Sequence, residues 1–233
     1  MPKAIKKRAS KKIGTTESDV KDRLAGLKDS LKDKKKTVLR YGAIVLIVLL
    51  VIPGFLFYDY AAKKKARTLA YEAYKTYQNI SQTQPLSKED RYKKALDLFK
   101  KSYDTRKSPY VLMYIAGCFY ELGNYDEAIK TLKDFIQRYS TEEDLLPLAY
   151  EKLSMAYERK GDSTEAMKTL ETLYNLKGTS IYKDLALMES ARLLEREGKR
   201  DEAMKKYKEL AEKFPNSPFS DEAKAKLGEK KEG

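Results

Sequence analysis

Gly123-Asn124-Tyr125-Asp126-Glu127-Ala128, Gly161-Asp162-Ser163-Thr164-Glu165-Ala166 and Gly198-Lys199-Arg200-Asp201-Glu202-Ala203 are three copies of one phrase, Gly-x-x-x-Glu-Ala, each followed by an amphipathic run. The alanines recur after 38 and then 37 residues, a period at which helical hairpins stack into a solenoid. Glycine stops one helix by taking positive φ. A carboxylate suits the positive start of the next, and alanine lets the two helices approach closely. A repeat of this kind predicts an all-α solenoid that offers surface to other proteins, not a catalytic pocket.

Residue content points the same way. The 233 residues, 42% of them apolar, suffice for one compact domain with appendages. There is no His, so the usual neutral-pH general base and commonest metal ligand is missing. Cys118 is the one cysteine and lies in the apolar run 115–120, where it reads as a small buried hydrophobe rather than a nucleophile. The acidic stretch Glu142-Glu143-Asp144 reads as a helix start, not a metal site. No enzyme activity, cofactor, metal or small-molecule substrate is expected.

Around the repeated phrase, particular positions resemble the tetratricopeptide repeat family. Leu112, Ile115, Ala116, Phe119, Gly123, Tyr125, Ala128, Leu132 and Phe135 fill the family's slots in the best copy. Tyr150, Leu153, Ser154, Tyr157, Gly161, Ala166, Leu170 and Leu173 do so in the second, and Leu187, Ala191, Leu194, Gly198, Ala203, Tyr207, Leu210 and Pro215 in the third. Ser163, Ser190 and Arg200 depart from the pattern. A fourth, irregular unit precedes these, with Tyr92, Ala95 and Phe99 in matching slots and Ser87 with Asp90 as a helix start. Its first helix is either a separate element carrying Tyr71 and Tyr77 or a continuation of the apolar span upstream. Further helix starts are read at Thr141 with Asp144, Asp162 with Glu165, Ser108-Pro109 and Ser217-Pro218. Asp221 to Leu227 reads as a terminal capping helix.

The resemblance implies a partner-binding groove lined by first-helix side chains not spent on packing. These are Tyr110, Met113, Tyr120, Leu148, Met155, Leu185, Met188 and Arg192. Tyrosines and flexible thioethers suit adaptable recognition of apolar or extended segments, although several of these side chains can equally pack between helices. The carboxylate clamp of some family members is missing, since Met113 and Gly117 occupy its first two positions.

Upstream, residues 41–58 read YGAIVLIVLLVIPGFLFY without a charge, between Arg40 and Lys63-Lys64-Lys65. As a helix, residues 38–60 reach roughly 34 Å against a hydrocarbon core of about 30 Å, with Tyr41, Phe57, Tyr58 and Tyr60 at interfacial depth. Forty residues precede the span and no small-residue cleavage site follows it, so it is expected to stay as an anchor, kinked at Pro53-Gly54. Lys and Arg number eight in positions 21–40 and five in 61–80, which places the N-terminus in the cytoplasm. The first 40 residues hold 14 basic and 5 acidic side chains of a chain whose net charge is +13. Residues 1–14 read as disordered. Thr16 then caps a short helix with Val20, Leu24, Leu27 and Leu31 on one stripe. That tail reads as a topology determinant touching anionic headgroups, or as a docking helix; nucleic-acid binding is not expected.

The expected organisation is therefore a basic tail (1–37), a transmembrane helix (38–60), an irregular first repeat with linker helix (61–107), and repeats with a capping helix (108–233), giving three to four hairpins in all. This layout resembles the ancillary subunit family of the SecYEG translocon, which implies a chaperone-like role on the outer side of a bacterial inner membrane, with translocon subunits or exported chains as partners. The alternative resemblance is to structural cell-envelope adaptors of the division-coordinator or outer-membrane assembly type.

Overall fold

A computed structural model of the chain describes residues 17–33, 35–80, 86–177 and 182–228. The tail through Thr16, and Pro85 of the polar loop, lie outside the described residues. Among these there are ten helices and no strand: α1 (Glu17–Asp33), α2 (Lys35–Tyr77), α3 (Lys88–Thr105), α4 (Pro109–Glu121), α5 (Tyr125–Arg138), α6 (Leu146–Lys160), α7 (Ser163–Tyr174), α8 (Lys183–Arg196), α9 (Arg200–Lys213) and α10 (Ser220–Gly228).

The chain divides into two units, Met1–Asp59 and Tyr60–Gly233. In the first, Val20, Leu24 and Leu27 of α1 are exposed, and so is every residue of 41–58 in α2. α2 is 43 residues long and runs unbroken through Pro53. The same helix, past Tyr60, supplies the opening element of the second unit, so Tyr71 and Tyr77 do stand on a continuation of the apolar helix.

Within the second unit the helices pair as hairpins. Each repeated glycine ends its helix with the two backbone bonds of a Schellman cap. Gly123 N–H donates to the Tyr120 carbonyl (3.0 Å) and Asn124 N–H to Phe119 (2.9 Å); Gly161 and Asp162 do the same to Glu158 and Tyr157, and Gly198 and Lys199 to Glu195 and Leu194. Their φ values, 76°, 88° and 73°, are those that a side chain opposes. One residue later the second helix starts, with Glu127, Glu165 or Glu202 in its first turn. The expected Asp162 cap is present, accepting from Glu165 N–H at 3.1 Å.

Small residues then meet across each hairpin. Ala116, Ser154 and Ala191 on the first helices, and Ala128, Ala166 and Ala203 on the second, are all buried. Ser154 satisfies its hydroxyl on the Glu151 carbonyl at 2.7 Å, which lets a polar residue occupy an alanine's place. The irregular first hairpin closes differently. Ser102 of α3 donates to the Ala66 carbonyl of α2 (2.8 Å, buried), and the Tyr77 ring stands edge-on to Tyr92 and Phe99. Its second helix opens with the expected box, Ser87 Oγ accepting from Asp90 N–H (3.0 Å) and donating to the Asp90 carboxylate (2.6 Å).

Two expected helix starts are corrected. Thr141 does not cap α6; its carbonyl accepts from Glu143 N–H in a turn, Leu145 and Leu146 bond back to Glu142, and the helix begins at Leu146. Pro147 suits that start, because in the first turn of a helix its missing N–H would have no intrahelical partner. Nor does Pro218 open α10, which starts at Ser220. Ser217 is held by Asp184 of α8, donating to its carboxylate at 2.6 Å, and accepts from Phe219 N–H.

Most of the buried apolar residues form two clusters, one from Ala73 to Leu170 with Leu193 and one from Leu187 to Ala223, and Met167 of α7 packs against both. Cys118 lies in the first. Burial, with a smaller contribution from Glu121, pushes its thiol pKa up to about 12.

Two measurements check this architecture. A Cβ on Gly161 meets no atom within 4 Å, so Gly161→Ala probes the backbone alone. It is expected to cost about 1–2 kcal/mol, read as a lower urea midpoint, with Gly161→Asn losing less; unchanged midpoints for both would contradict the cap. For Cys118, Ellman's reagent at about pH 8 is expected to react at least about a hundredfold more slowly with the native chain than with the urea-unfolded one, whose thiol titrates near its ordinary value of about 8.5. Equal rates would show the thiol to be accessible and ionisable.

Candidate functional site

The first helices of successive hairpins lie side by side and make one continuous face. From α2 to α4, the rings of Tyr74 and Tyr77 meet Tyr114 edge-on at 5.8 and 5.5 Å. α6 and α8 are joined by Arg196 and Glu158 at 2.7 Å, and α8 and α10 by Arg192 and Glu222 at 2.8 Å. The 38- and 37-residue spacings place corresponding side chains in rows across this face: Tyr110, Leu148 and Leu185; Tyr114, Lys152 and Glu189; Gly117, Met155 and Arg192. All are exposed or half-buried.

The two halves of the face differ. In the first, a cavity of about 110 Å³ is lined by Tyr77, Gly117, Tyr120, Glu121, Lys152 and Met155, with Ala116 and Leu132 deeper. Gly117 is what opens it: a Cβ there would stand 3.3 Å from the Tyr77 hydroxyl. Among the described residues no group hydrogen-bonds that hydroxyl. Burial, then neighbouring Tyr92, Cys118, Glu121 and Tyr114, raises its pKa above the ordinary phenol value, so it stays a neutral donor. Around the cavity, Phe99 and Tyr114 stack at 5.0 Å and Tyr120 stands edge-on to Tyr125 at 5.6 Å, contacts worth about 0.5–1.5 kcal/mol each beyond area burial. Lys88 holds Glu121 at 3.0 Å.

The second half is ion-paired. Arg192 grips both oxygens of Glu222 (2.9 and 2.8 Å) and also Glu189 (2.8 Å). Glu195 accepts from the Tyr207 hydroxyl at 3.0 Å and faces Lys226 at 3.5 Å. Between the halves sits Glu151, whose pKa is raised by burial and further by Glu189, against the pull of Lys152. Its carboxylate has no hydrogen-bond or ion-pair partner among the described residues.

The eight residues expected to line a groove divide accordingly. Tyr120 and Met155 line the cavity, and Tyr110 is exposed at the start of α4. Leu148 is half-buried against the core. Leu185 is half-buried at the start of α8, its N–H bonded to Asp184. Arg192 lies on the face, with its guanidinium committed to two carboxylates. Met113 and Met188 are buried and belong to the two core clusters. The reason is phase: three residues along a helix turn a side chain about 60° one way and four about 40° the other. The row from Tyr110 therefore continues through Tyr114, and Met113 points into the packing. Tyr74, Tyr77 and Tyr114 were not anticipated as site residues. The available signal was Gly117, a mid-helix glycine costing about 0.5–1 kcal/mol relative to alanine, which marks a close approach.

This geometry holds an apolar recess, a free phenolic donor and an unpaired carboxylate; among the described residues no group of three or more His, Cys, Asp or Glu is placed to hold a metal. The recess is smaller than the roughly 150 Å³ that takes a benzene ring and suits one aliphatic side chain.

No curated protein matches the chain. Among solved structures it is similar to the nearly identical TPR-like repeats of a Podosopora anserina protein described as a kinesin light chain, at 16% identity over 71% of this chain and 84% of that one, with a TM-score of 0.54. It is also similar to YrrB, described as a TPR protein with an unusual peptide-binding site, at 15% identity over 85% of this chain and 97% of that one, with a TM-score of 0.50. Both likenesses concern the fold. A family model for the tetratricopeptide repeat-like domain matches residues 35–228, and the chain belongs to that family.

Proposed function

We propose that the protein is a membrane-anchored tetratricopeptide module whose first-helix face receives apolar or extended segments of other proteins. The observation that carries the reading is that one helix, α2, bears the uncharged and wholly exposed stretch 41–58 and then becomes the opening layer of the repeats. A water-exposed apolar surface of that length is rarely left uncovered. The Ile, Leu, Val and Phe residues of this stretch each favour the bilayer interior by about 0.3–0.6 kcal/mol near the helix centre. On this reading α2 crosses the inner membrane of a bacterium once. The eight-to-five Lys and Arg bias leaves the N-terminus in the cytoplasm and the repeats outside it.

Binding is assigned to the aromatic half of the face, where the cavity, the Tyr77 hydroxyl and the flexible Met155 are available. YrrB, a structural neighbour, is described as having a peptide-binding site, which favours a peptide as the kind of partner. The layout favours a role beside the protein-export machinery, with translocon subunits or emerging exported chains as partners.

Three readouts test this. Alkaline carbonate should leave the chain in the membrane fraction, and a reporter fused after Gly233 should be active only outside the cytoplasm; release by carbonate or a cytoplasmic signal would sink the envelope reading. A photo-crosslinker at Met155 should recover translocon subunits or exported chains, whereas recovery of division or outer-membrane assembly machinery would move the assignment to a structural adaptor. Gly117→Leu, which fills the cavity, should lower that crosslinking about tenfold or more while leaving the melting temperature within a few degrees. Undiminished crosslinking would remove the cavity from the binding site.

A further inference from the structure

The basic run 63–67 is unexplained by the function above. Lys63, Lys64, Lys65 and Arg67 stand just past Tyr60, on the flank that the positive-inside bias would keep poor in cations. Four cations there weaken the very topology the rest of the chain specifies, which points to a use for them in the folded protein.

The structure supplies one. A cavity of about 280 Å³, distinct from the one at Gly117, opens between α2 and the α3–α4 junction and is rimmed by Lys63, Arg67, Arg106, Lys107, Ser108 and Pro109. Ala66 and Val111, both buried, form an apolar floor. Lys63 and Arg67 are exposed and have no carboxylate partner among the described residues. Lys107 lies over the Tyr103 ring (4.2 Å) and 3.4 Å from exposed Asp104, a contact that solvent weakens. Ser108 makes no side-chain cap on α4, so its hydroxyl remains available at the rim. The cavity therefore combines a cationic rim, a free hydroxyl and an apolar base.

We infer that this cavity binds the phosphate headgroup of an anionic phospholipid, clamping the base of the repeat domain to the membrane surface. The inference rests on the membrane reading of α2. Lys63 and Arg67 follow Tyr60 by three and seven residues, about 5 and 10 Å of helical rise, and the headgroup layer is roughly 5–8 Å deep on each side. A lysine and an arginine that can extend along the helix reach it. The apolar floor favours a lipid over a free anion, because it accepts the glycerol and upper acyl carbons that an inorganic phosphate lacks.

The test uses the full chain in detergent micelles, with native mass spectrometry of bound phosphatidylglycerol and phosphatidylcholine of matched acyl chains. The wild-type protein is expected to retain phosphatidylglycerol about tenfold or more over phosphatidylcholine. K63Q/R67Q/K107Q should bring the two within about twofold, while K130Q/K205Q/K208Q, which removes equal charge from exposed positions on α5 and α9, should keep the preference. All six side chains are exposed, and a circular dichroism melt checks that both variants fold. Equal loss in both variants, or none in either, overturns the site. So does displacement of the lipid by millimolar inorganic phosphate, which would make the cavity a receptor for soluble anions. Release of the chain from membranes by carbonate would bring down the membrane reading and this inference together; a chain that stays inserted without headgroup preference brings down only the inference.

Discussion

Everything in the repeat domain depends on how closely the two helices of a hairpin can approach. The turn between them is a single residue after the glycine, Asn124, Asp162 or Lys199, so the second helix must fold back directly against the first. Only small side chains fit at that contact, and six buried ones supply it. A bulkier residue at Ala128 or Ala203 would force the helices apart, at a cost of about 1–3 kcal/mol typical of overpacked cores. With the hairpin closed, each unit still has an apolar side that it cannot cover itself. Stacking covers it, which is why Met167 belongs to two clusters and why the stack needs an end.

The functional asymmetry follows from how the two ends are closed. At the C-terminal end α10 contributes Ala223 and Ser220 to the core, with Phe219 and Leu227 packed against it, and the Arg192 and Glu195 pairs tie it across the face. Such partly exposed pairs are worth about 0–1 kcal/mol each, so they orient α10 more than they hold it. Their effect on binding is larger than on stability, because they commit the very side chains that would otherwise meet a partner. In the half nearer α2 the cavity is lined mainly by rings, a thioether and a glycine, and of its two charged lining residues Glu121 is held by Lys88, which leaves Lys152. Apolar recognition is confined there by exclusion.

Features set by local backbone demands were legible in the sequence. Gly123, Gly161 and Gly198 announce positive φ, and Ser87 with Asp90 and Asp162 with Glu165 announce helix starts whose bonds span three residues. What failed depended on distant partners or on fine helical phase. Ser217 looks like a cap until Asp184, 33 residues earlier, is seen to hold it. Met113 and Met188 differ from true face residues by one position, a distinction that a period of 3.6 blurs and that only the packed neighbour resolves. Tyr77 reaches Gly117 across 40 residues of sequence, so the glycine could mark a close approach without naming what approaches.

The first layer of the solenoid is also the least independent. Phe99, Ala95 and Tyr92 of α3 are buried, and their covering includes Tyr77 and the Ala66 carbonyl on α2. Removing α2 would return these rings to water, at roughly 1.5–3 kcal/mol for each large side chain fully exposed, and would take away one wall of the cavity at Gly117. Among the described residues α2 is therefore the N-terminal cap of the repeats. Its buried side, Ala66, Ala73 and Thr76, completes the core, and its exposed side, Lys63, Arg67 and Tyr71, supplies the polar outer face that a terminal layer requires. One helix thus closes the solenoid, walls the recess and carries the apolar stretch, so a change in any one of these roles alters the sequence available to the other two.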